Sequence, residues 1–192
     1  MSLDVEPLGS FAGPGPLVVT PRVHHDERGF FLERYKEEAY TPHGIGPFVQ
    51  DNHSRSTHNV VRGLHWQLPP HAQGKLVSAV TGRILDVAVD LRHGSPTFGR
   101  WASAVLDDET HRQLWVPAGF AHGFLVLSDV ADVHYKVTAG HARDAERSLR
   151  WNDPQVNVAW GVDAPTLSAK DAEAPLLRDL TQDDLFAWED EA

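Results

Sequence analysis

The run Val61-Arg62-Gly63-Leu64-His65-Trp66-Gln67-Leu68-Pro69-Pro70 is followed by Gln73-Gly74-Lys75-Leu76-Val77, so a histidine, two cations and two amides fall close together. If residues 59–67 and 74–80 are neighbouring strands, His65 and Lys75 can approach one another inside a cavity. An ammonium nearby disfavours imidazolium, which would leave His65 neutral at pH 7 and competent as a base. Lys75 shares a strand face with Val77 and Ala79, and an inward lysine needs a partner. The chain holds only four lysines. Taken alone, His65 reads more readily as a structural histidine than as a catalytic one. Alternation in Ala131-Asp132-Val133-His134-Tyr135-Lys136-Val137 puts Tyr135 on the apolar face with Val133 and Val137. A buried tyrosine by itself is ordinarily core with a satisfied hydroxyl.

A second cluster is Trp115-Val116-Pro117-Ala118-Gly119-Phe120-Ala121-His122-Gly123-Phe124, in which Pro and Gly shape a turn that delivers His122 onto a strand. Its P-x-G-x-x-H spacing is similar to that of cupin barrels, where the histidine is often a metal ligand. A metal-dependent cupin isomerase or oxygenase is therefore a definite alternative. Against it, the position of the usual His-x-His pair reads His65-Trp66-Gln67, and Lys75 stands where an acid would be needed. A lysine repels a divalent cation, and the twelve histidines form no i, i+2 or i, i+4 pair in the earlier motif, so no metal is expected. Gln50 and Asn52 share a face, Arg28 opens a strand after a turn at Asp26-Glu27-Arg28-Gly29, and Glu33 follows. Arg28, Arg62 and Lys75 together would make a local site for phosphates. The sequence has no glycine-rich phosphate loop, dinucleotide fingerprint or serine nucleophile elbow.

These side chains need strands to position them. Ile84-Leu85-Asp86-Val87-Ala88-Val89-Asp90-Leu91 alternates, with four aliphatic residues on one face and the two aspartates on the other. Further strands are expected at 17–20, 29–35, 47–52, 59–67, 74–80, 101–107, 112–116 and 121–127. Helix is expected only near Lys36–Tyr40 and at the C-terminal end, where Leu180, Leu185, Phe186 and Trp188 are spaced to pack one side. Gly82 suits a tight hairpin between two strands. Thirteen prolines and 15 glycines are scattered evenly, without a linker or a repeat. The pattern predicts one all-β domain over 1–192, a sandwich or barrel with short peripheral helices, ending in an acidic segment at about 176–192.

The chain has 192 residues, 41% hydrophobic and 23% charged, with a net charge of −10. That balance argues against nucleic acid, whose affinity rests on basic side chains. No apolar run approaches the roughly 18 residues of a membrane span. The N-terminal residues carry no basic side chain before Arg22 and no apolar core, so a cytoplasmic location is expected. Without cysteine, disulfides, thiol catalysis and thiolate metal sites are ruled out. Six acids between Asp179 and Glu191, with no lysine or arginine among them, read as a solubilising end.

Taken in order, the motifs Asp26-Glu27-Arg28-Gly29-Phe30-Phe31, Gln50-Asp51-Asn52-His53-Ser54, Val61 to Gln67, Gln73 to Val77, Asp86 to Arg92, Ser95-Pro96-Thr97-Phe98-Gly99, Pro117 to Phe124, Tyr135-Lys136, Trp151-Asn152-Asp153-Pro154 and Leu167-Ser168-Ala169-Lys170-Asp171 resemble the dTDP-4-dehydrorhamnose 3,5-epimerase family. The match runs over about residues 20–175. The resemblance implies a cupin-like jelly-roll barrel, a homodimer and no cofactor. It implies inversion of C3 and C5 of dTDP-4-dehydro-6-deoxy-D-glucose, with close relatives that invert only C3 or only C5. Carried over by position, His65 is the base, Asp171 its dyad partner, Tyr135 the acid, and Lys75 the cation near the C4 oxygen. Arg28, Glu33, Gln50, Asn52, Arg62, His122, Glu146 and Lys170 match positions that hold the nucleotide sugar. One departure stands out: the aromatic pair that commonly follows Tyr135-Lys136 is here Gly140-His141, so the resemblance does not say how the nucleotide base is clamped. A binding module without activity is a third reading, opposed by the complete His65, Asp171, Tyr135 and Lys75 set.

Overall fold

The computed structural model describes residues 3–188. In chain order its elements are β1 (Asp4–Pro7), β2 (Leu17–Thr20), β3 (Val23–Asp26), β4 (Gly29–Leu32), α1 (Glu37–Tyr40), β5 (Gln50–Thr57), β6 (Val61–Gln67), β7 (Lys75–Thr81) and β8 (Arg83–Asp90). There follow β9 (Arg92–His93), β10 (Trp101–Asp107), β11 (Gln113–Val116), β12 (Phe120–Val126), β13 (Val130–Val137), β14 (Glu146–Ser148), α2 (Ala169–Ala172) and β15 (Phe186–Ala187). One sheet runs β1-β2-β11-β7-β13-β5 and the other β10-β8-β12-β6-β14. Every neighbouring pair within these two sheets is antiparallel.

The two sheets face one another because each carries an apolar inner face that must leave water. Val77, Ala79, Leu114, Val116, Ala131 and Val133 come from one sheet; Ile84, Ala88, Leu106, Phe120, Phe124 and Val126 come from the other. The outer faces are covered too. Leu149, Val156, Val158, Trp160 and Phe186 pack behind β6, β8 and β12, and Tyr40 and Ile45 pack behind Leu76 and Trp115. The central strands are consequently buried on both sides, and all seven residues of β12 are buried. The result is an all-β, cupin-like jelly-roll sandwich with two single-turn α-helices at its periphery. Among the described residues no helix is long and apolar enough to cross a membrane.

Several expected elements differ in the structure. β6 and β7 are not neighbours: they lie in opposite sheets, so His65 and Lys75 meet across the sandwich rather than along a ladder. Gly82 joins β7 to β8 across the two sheets and does not turn a hairpin. Its φ of 74° and a Cβ site 2.1 Å from the Val130 carbonyl oxygen reserve the position for glycine. The strand expected at 29–35 ends at Leu32, and that expected at 47–52 runs instead from Gln50 to Thr57. The C-terminal helix is replaced by two 3-10 turns, at Leu177–Asp179 and Gln182–Asp184, and by β15, which pairs in parallel with β9. Leu180, Leu185 and Phe186 still pack inward, as their spacing required. Glu189, Asp190 and Glu191 of the acidic end lie outside the described residues.

Asp90, at the end of β8, is fully inaccessible and accepts hydrogen bonds from the Arg92 backbone and guanidinium, Ser95 Oγ and Thr97 Oγ1. Burial pushes its carboxyl upward, but the bonds from Arg92 and Thr97 outweigh this and hold it below the usual range. Arg92 is clasped between the Phe120 and Trp188 rings and donates to the Pro14 carbonyl, tying both ends of the described chain to β8. Removing one partner strands the other charge in the core. Asp90→Ala is therefore expected to cost about 3–5 kcal/mol in denaturant unfolding. Because the folded pKa is depressed, that contribution is present above the ordinary carboxylate pKa and fades as pH falls through the folded value.

Candidate active site

The open end of the sandwich holds a cavity of about 450 Å³ lined by Ser54, Arg62, His65, Lys75, His122 and Tyr135, with Lys170 and Asp171 beside them. A second lobe of about 370 Å³ shares His65, Lys75 and Tyr135 and adds Gln50, Asn52, Gln67, Gln73, His141 and Glu146. Both sheets contribute, together with the segment 166–171.

Arg62 and His65 are three residues apart, and strict alternation would send them to opposite faces. A register shift resolves this: His122 pairs with His65, yet Phe124 pairs with Arg62, so β6 holds one residue more than β12 over that interval. The bulge turns both polar side chains into the cavity while Val61, Leu64 and Trp66 stay in the outer core. It depends on close approach of the two strands. A Cβ on Gly63 would stand 2.6 Å from the Gly123 Cα and 2.8 Å from the His122 carbonyl oxygen.

His65 Nε2 lies 2.5 Å from Asp171 Oδ1. With Nε2–H donated to that carboxylate, the lone pair sits on Nδ1, which has no hydrogen-bond partner among the described residues. Ser168 caps α2, accepting from the Asp171 backbone N–H, and its Oγ–H donates to Asp171 Oδ2 at 2.8 Å. Burial pushes the Asp171 carboxyl up, but His65, then Ser168 and Lys170, draw it below its ordinary value. The segment that delivers this carboxylate is anchored by Val61 N–H to the Thr166 carbonyl and by Asn59 Nδ2–H to the Ala164 carbonyl.

Lys75 Nζ donates to the His65 carbonyl at 3.1 Å. Burial lowers its pKa to about 8, against the attraction of Asp86 and Glu146. Tyr135 projects from β13 into the same space, opposite Asn52 and Val77 in register. Burial raises its phenol above 10, with Glu146 adding to the rise and Arg62 opposing it, so it keeps its proton at neutral pH. Glu146 pairs with Lys170 at 2.7 Å and has His141 Nε2 at 3.7 Å. Burial would raise the Glu146 carboxyl, but Lys170 holds it low. Gln50 donates to Asn52 Oδ1 and accepts from the His141 backbone N–H, which fixes the rim of the second lobe.

Of the thirteen side chains singled out from the sequence, eleven meet here: His65, Lys75, Tyr135, Asp171, Gln50, Asn52, Arg62, His122, Glu146 and Lys170 line the two lobes, and His141 joins them from the departure. Arg28 and Glu33 do not line either lobe. Arg28 sits in the turn of the β3–β4 hairpin, exposed and bound to Asp26, so the three-cation phosphate site reduces within this chain to Arg62 and Lys75. Sequence reasoning missed Ser168 as the support of Asp171, although Ser-x-x-Asp is a capping signature. It also missed Asp86 as the partner of His122, 2.6 Å from its Nε2. Among the described residues no three histidine, aspartate or glutamate side chains gather in a metal-holding group.

Residues 11–179 match the family model described as dTDP-4-dehydrorhamnose 3,5-epimerase. The chain is 51% identical over 170 residues to the dTDP-4-dehydrorhamnose 3,5-epimerase of Pseudomonas aeruginosa, covering 86% of this chain and 93% of that one. It superposes with a TM-score of 0.90 and 42% identity on the crystal structure of a dTDP-6-deoxy-D-glucose-3,5-epimerase from Legionella pneumophila in complex with dTDP-4-keto-L-rhamnose, covering 97% of this chain and 100% of that one. A 3'-monoepimerase from Streptomyces bikiniensis, in complex with dTDP-quinovose, superposes with a TM-score of 0.87 and 34% identity, covering 95% and 93%.

The support of Asp171 can be tested without reference to substrate. Ser168→Ala removes a helix cap and a bond to Oδ2, and is expected to cost about 0.5–2 kcal/mol in urea unfolding near neutral pH. Part of that stability comes from a depressed carboxyl, so the loss should shrink as pH falls through the folded Asp171 pKa.

Proposed function

Because the chain belongs to the dTDP-4-dehydrorhamnose 3,5-epimerase family, we propose that it converts dTDP-4-dehydro-6-deoxy-D-glucose to dTDP-4-dehydro-L-rhamnose, inverting C3 and C5 in one cupin-like catalytic unit. The observation that supports this reading most strongly is that His65, with its Asp171 partner, and Tyr135 line one cavity from opposite sheets, with Lys75 reaching the same cavity from β7, the neighbour of Tyr135's strand.

Hydrogens on carbons beside a ketone are acidic because the charge left behind delocalises onto oxygen. His65 takes that hydrogen through the nitrogen not held by Asp171, and Asp171 stabilises the imidazolium that forms. The electron pair moves onto the C4 oxygen, where the Lys75 ammonium faces the developing negative charge. Tyr135, protonated because burial raises its pKa, returns a proton to the opposite face of the same carbon. The sugar inverts when the two faces are served by different groups, and no electron leaves the substrate. Arg62, His122, Lys170, Gln50 and Asn52 then hold the nucleotide sugar, with the cations directed to its phosphates.

Arg28 and Glu33 take their assigned place in substrate binding through a homodimer. The hairpin that carries Arg28 and ends one residue before Glu33 forms a two-stranded sheet apart from the two main ones and exposes Phe30 and Phe31, 56% and 67% accessible. A second copy covering those rings would receive Arg28 at the edge of that copy's cavity. Phe31→Asp is expected to shift the particle from dimer to monomer in sedimentation and to raise KM; a wild-type chain that sediments as a monomer would overturn this arrangement.

A C3-only or C5-only epimerase is the second reading, favoured by the likeness to a 3'-monoepimerase. Incubation with dTDP-4-dehydro-6-deoxyglucose in heavy water separates the two. Deuterium at both C3 and C5 by NMR is the expected result, and deuterium at one carbon identifies the narrower enzyme. His65→Asn should lower exchange at both carbons by about 10²–10⁴-fold while dTDP binding persists. Tyr135→Phe should retain hydrogen loss better than it retains product stereochemistry.

A further inference from the structure

Asp86 is the most completely buried charged side chain beside the cavity, at 0% exposure, and the mechanism above does not use it. It lies on β8, where Ala88 pairs with His122 and Phe124 pairs with Asp86, so its carboxyl sits diagonally across from the His122 ring. Oδ1 is 2.6 Å from His122 Nε2. Oδ2 is buried and has no hydrogen-bond partner among the described residues. A core position that keeps a carboxylate oxygen bare calls for a compensating charge. We infer that Asp86 is a positioning residue for the reaction: one oxygen orients the His122 ring, and the other holds Lys75 as an ammonium at the substrate's C4 oxygen.

The groups around Lys75 point the same way. Glu146 on β14 and Asp86 on β8 attract its charge, Lys170 on α2 repels it, and His65, His122 and Tyr135 line the cavity around it. Glu146 is already paired with Lys170 at 2.7 Å, which leaves Asp86 Oδ2 the carboxylate oxygen without a partner among these groups. Asp86 is also the foremost group opposing the loss of charge that burial imposes on Lys75. Without it, burial would push the Lys75 amine further down, and a smaller share of it would carry charge where the developing enolate needs a cation.

The inference rests on the epimerase reading for the use made of the ammonium, but its test does not need turnover. The chain's four lysines, Lys36, Lys75, Lys136 and Lys170, can be followed individually by NMR after labelling at Cε and Nζ. In the intact protein the Lys75 signal should titrate near pH 8, and Asp86→Asn should move that midpoint down by about one pH unit or more. The alkaline limb of kcat/KM should move down with it. An unchanged Lys75 midpoint in the folded variant would overturn the inference. Asp86→Ser removes the same charge with a smaller side chain and serves if the asparagine variant does not fold. Failure of the epimerase reading would show separately, as absence of heavy-water exchange by the wild-type protein.

Discussion

The approach of β6 to β12 at Gly63 and Gly123 is the constraint on which the cavity depends. No side chain fits between those two backbones, and the extra residue that β6 gains over the same interval turns Arg62 and His65 to one side. With any larger residue the strands would separate and the bulge would lose its partner. The histidine would then leave the space it shares with Tyr135 and Lys75. Hydrophobic burial on the outer face, through Val61, Leu64 and Trp66, holds the bulge from behind. Packing that leads nowhere near substrate thus sets the direction in which the polar groups point.

The interior divides into two regimes. One part is filled by aliphatic and aromatic side chains from both sheets; the other carries the buried Lys75, Asp86 and His122 beside the cavity that Tyr135 lines. In such surroundings each charge acts strongly on its neighbours, and an unpaired one is costly. Asp90 and Arg92 answer that cost with a closed set of five hydrogen bonds to the carboxylate. The cavity groups leave theirs open: Lys75 rests on a backbone carbonyl, and one oxygen of Asp86 on nothing. Closed networks secure the fold, whereas open ones leave capacity for a ligand.

Much of this was legible from residue types. The strand content, the inward face of β13 with Tyr135, and the shared face of Gln50 and Asn52 follow from alternation and hold in the structure. What alternation could not convey was which strands face each other. Gly82 looks like a hairpin residue because a tight turn and a crossing between sheets demand the same positive φ. The bulge in β6 has no signature beyond its glycine, so the common orientation of Arg62 and His65 came from resemblance and not from spacing. The aspartates of β8 alternate as a solvated face would, yet they point into the sandwich, because a strand covered on both sides loses the cue that burial normally writes into sequence. The β3–β4 hairpin is a further case: its motif matches the family, while its geometry serves no cavity within its own chain.

The carboxylate that steadies His65 is carried by α2, more than a hundred positions later in the chain, and is moored to β6 through Thr166. During synthesis the histidine emerges long before the group that selects its tautomer. A chain that has already closed both sheets still needs the turn at 164–171 to settle against β6 before His65 Nε2 has its carboxylate partner.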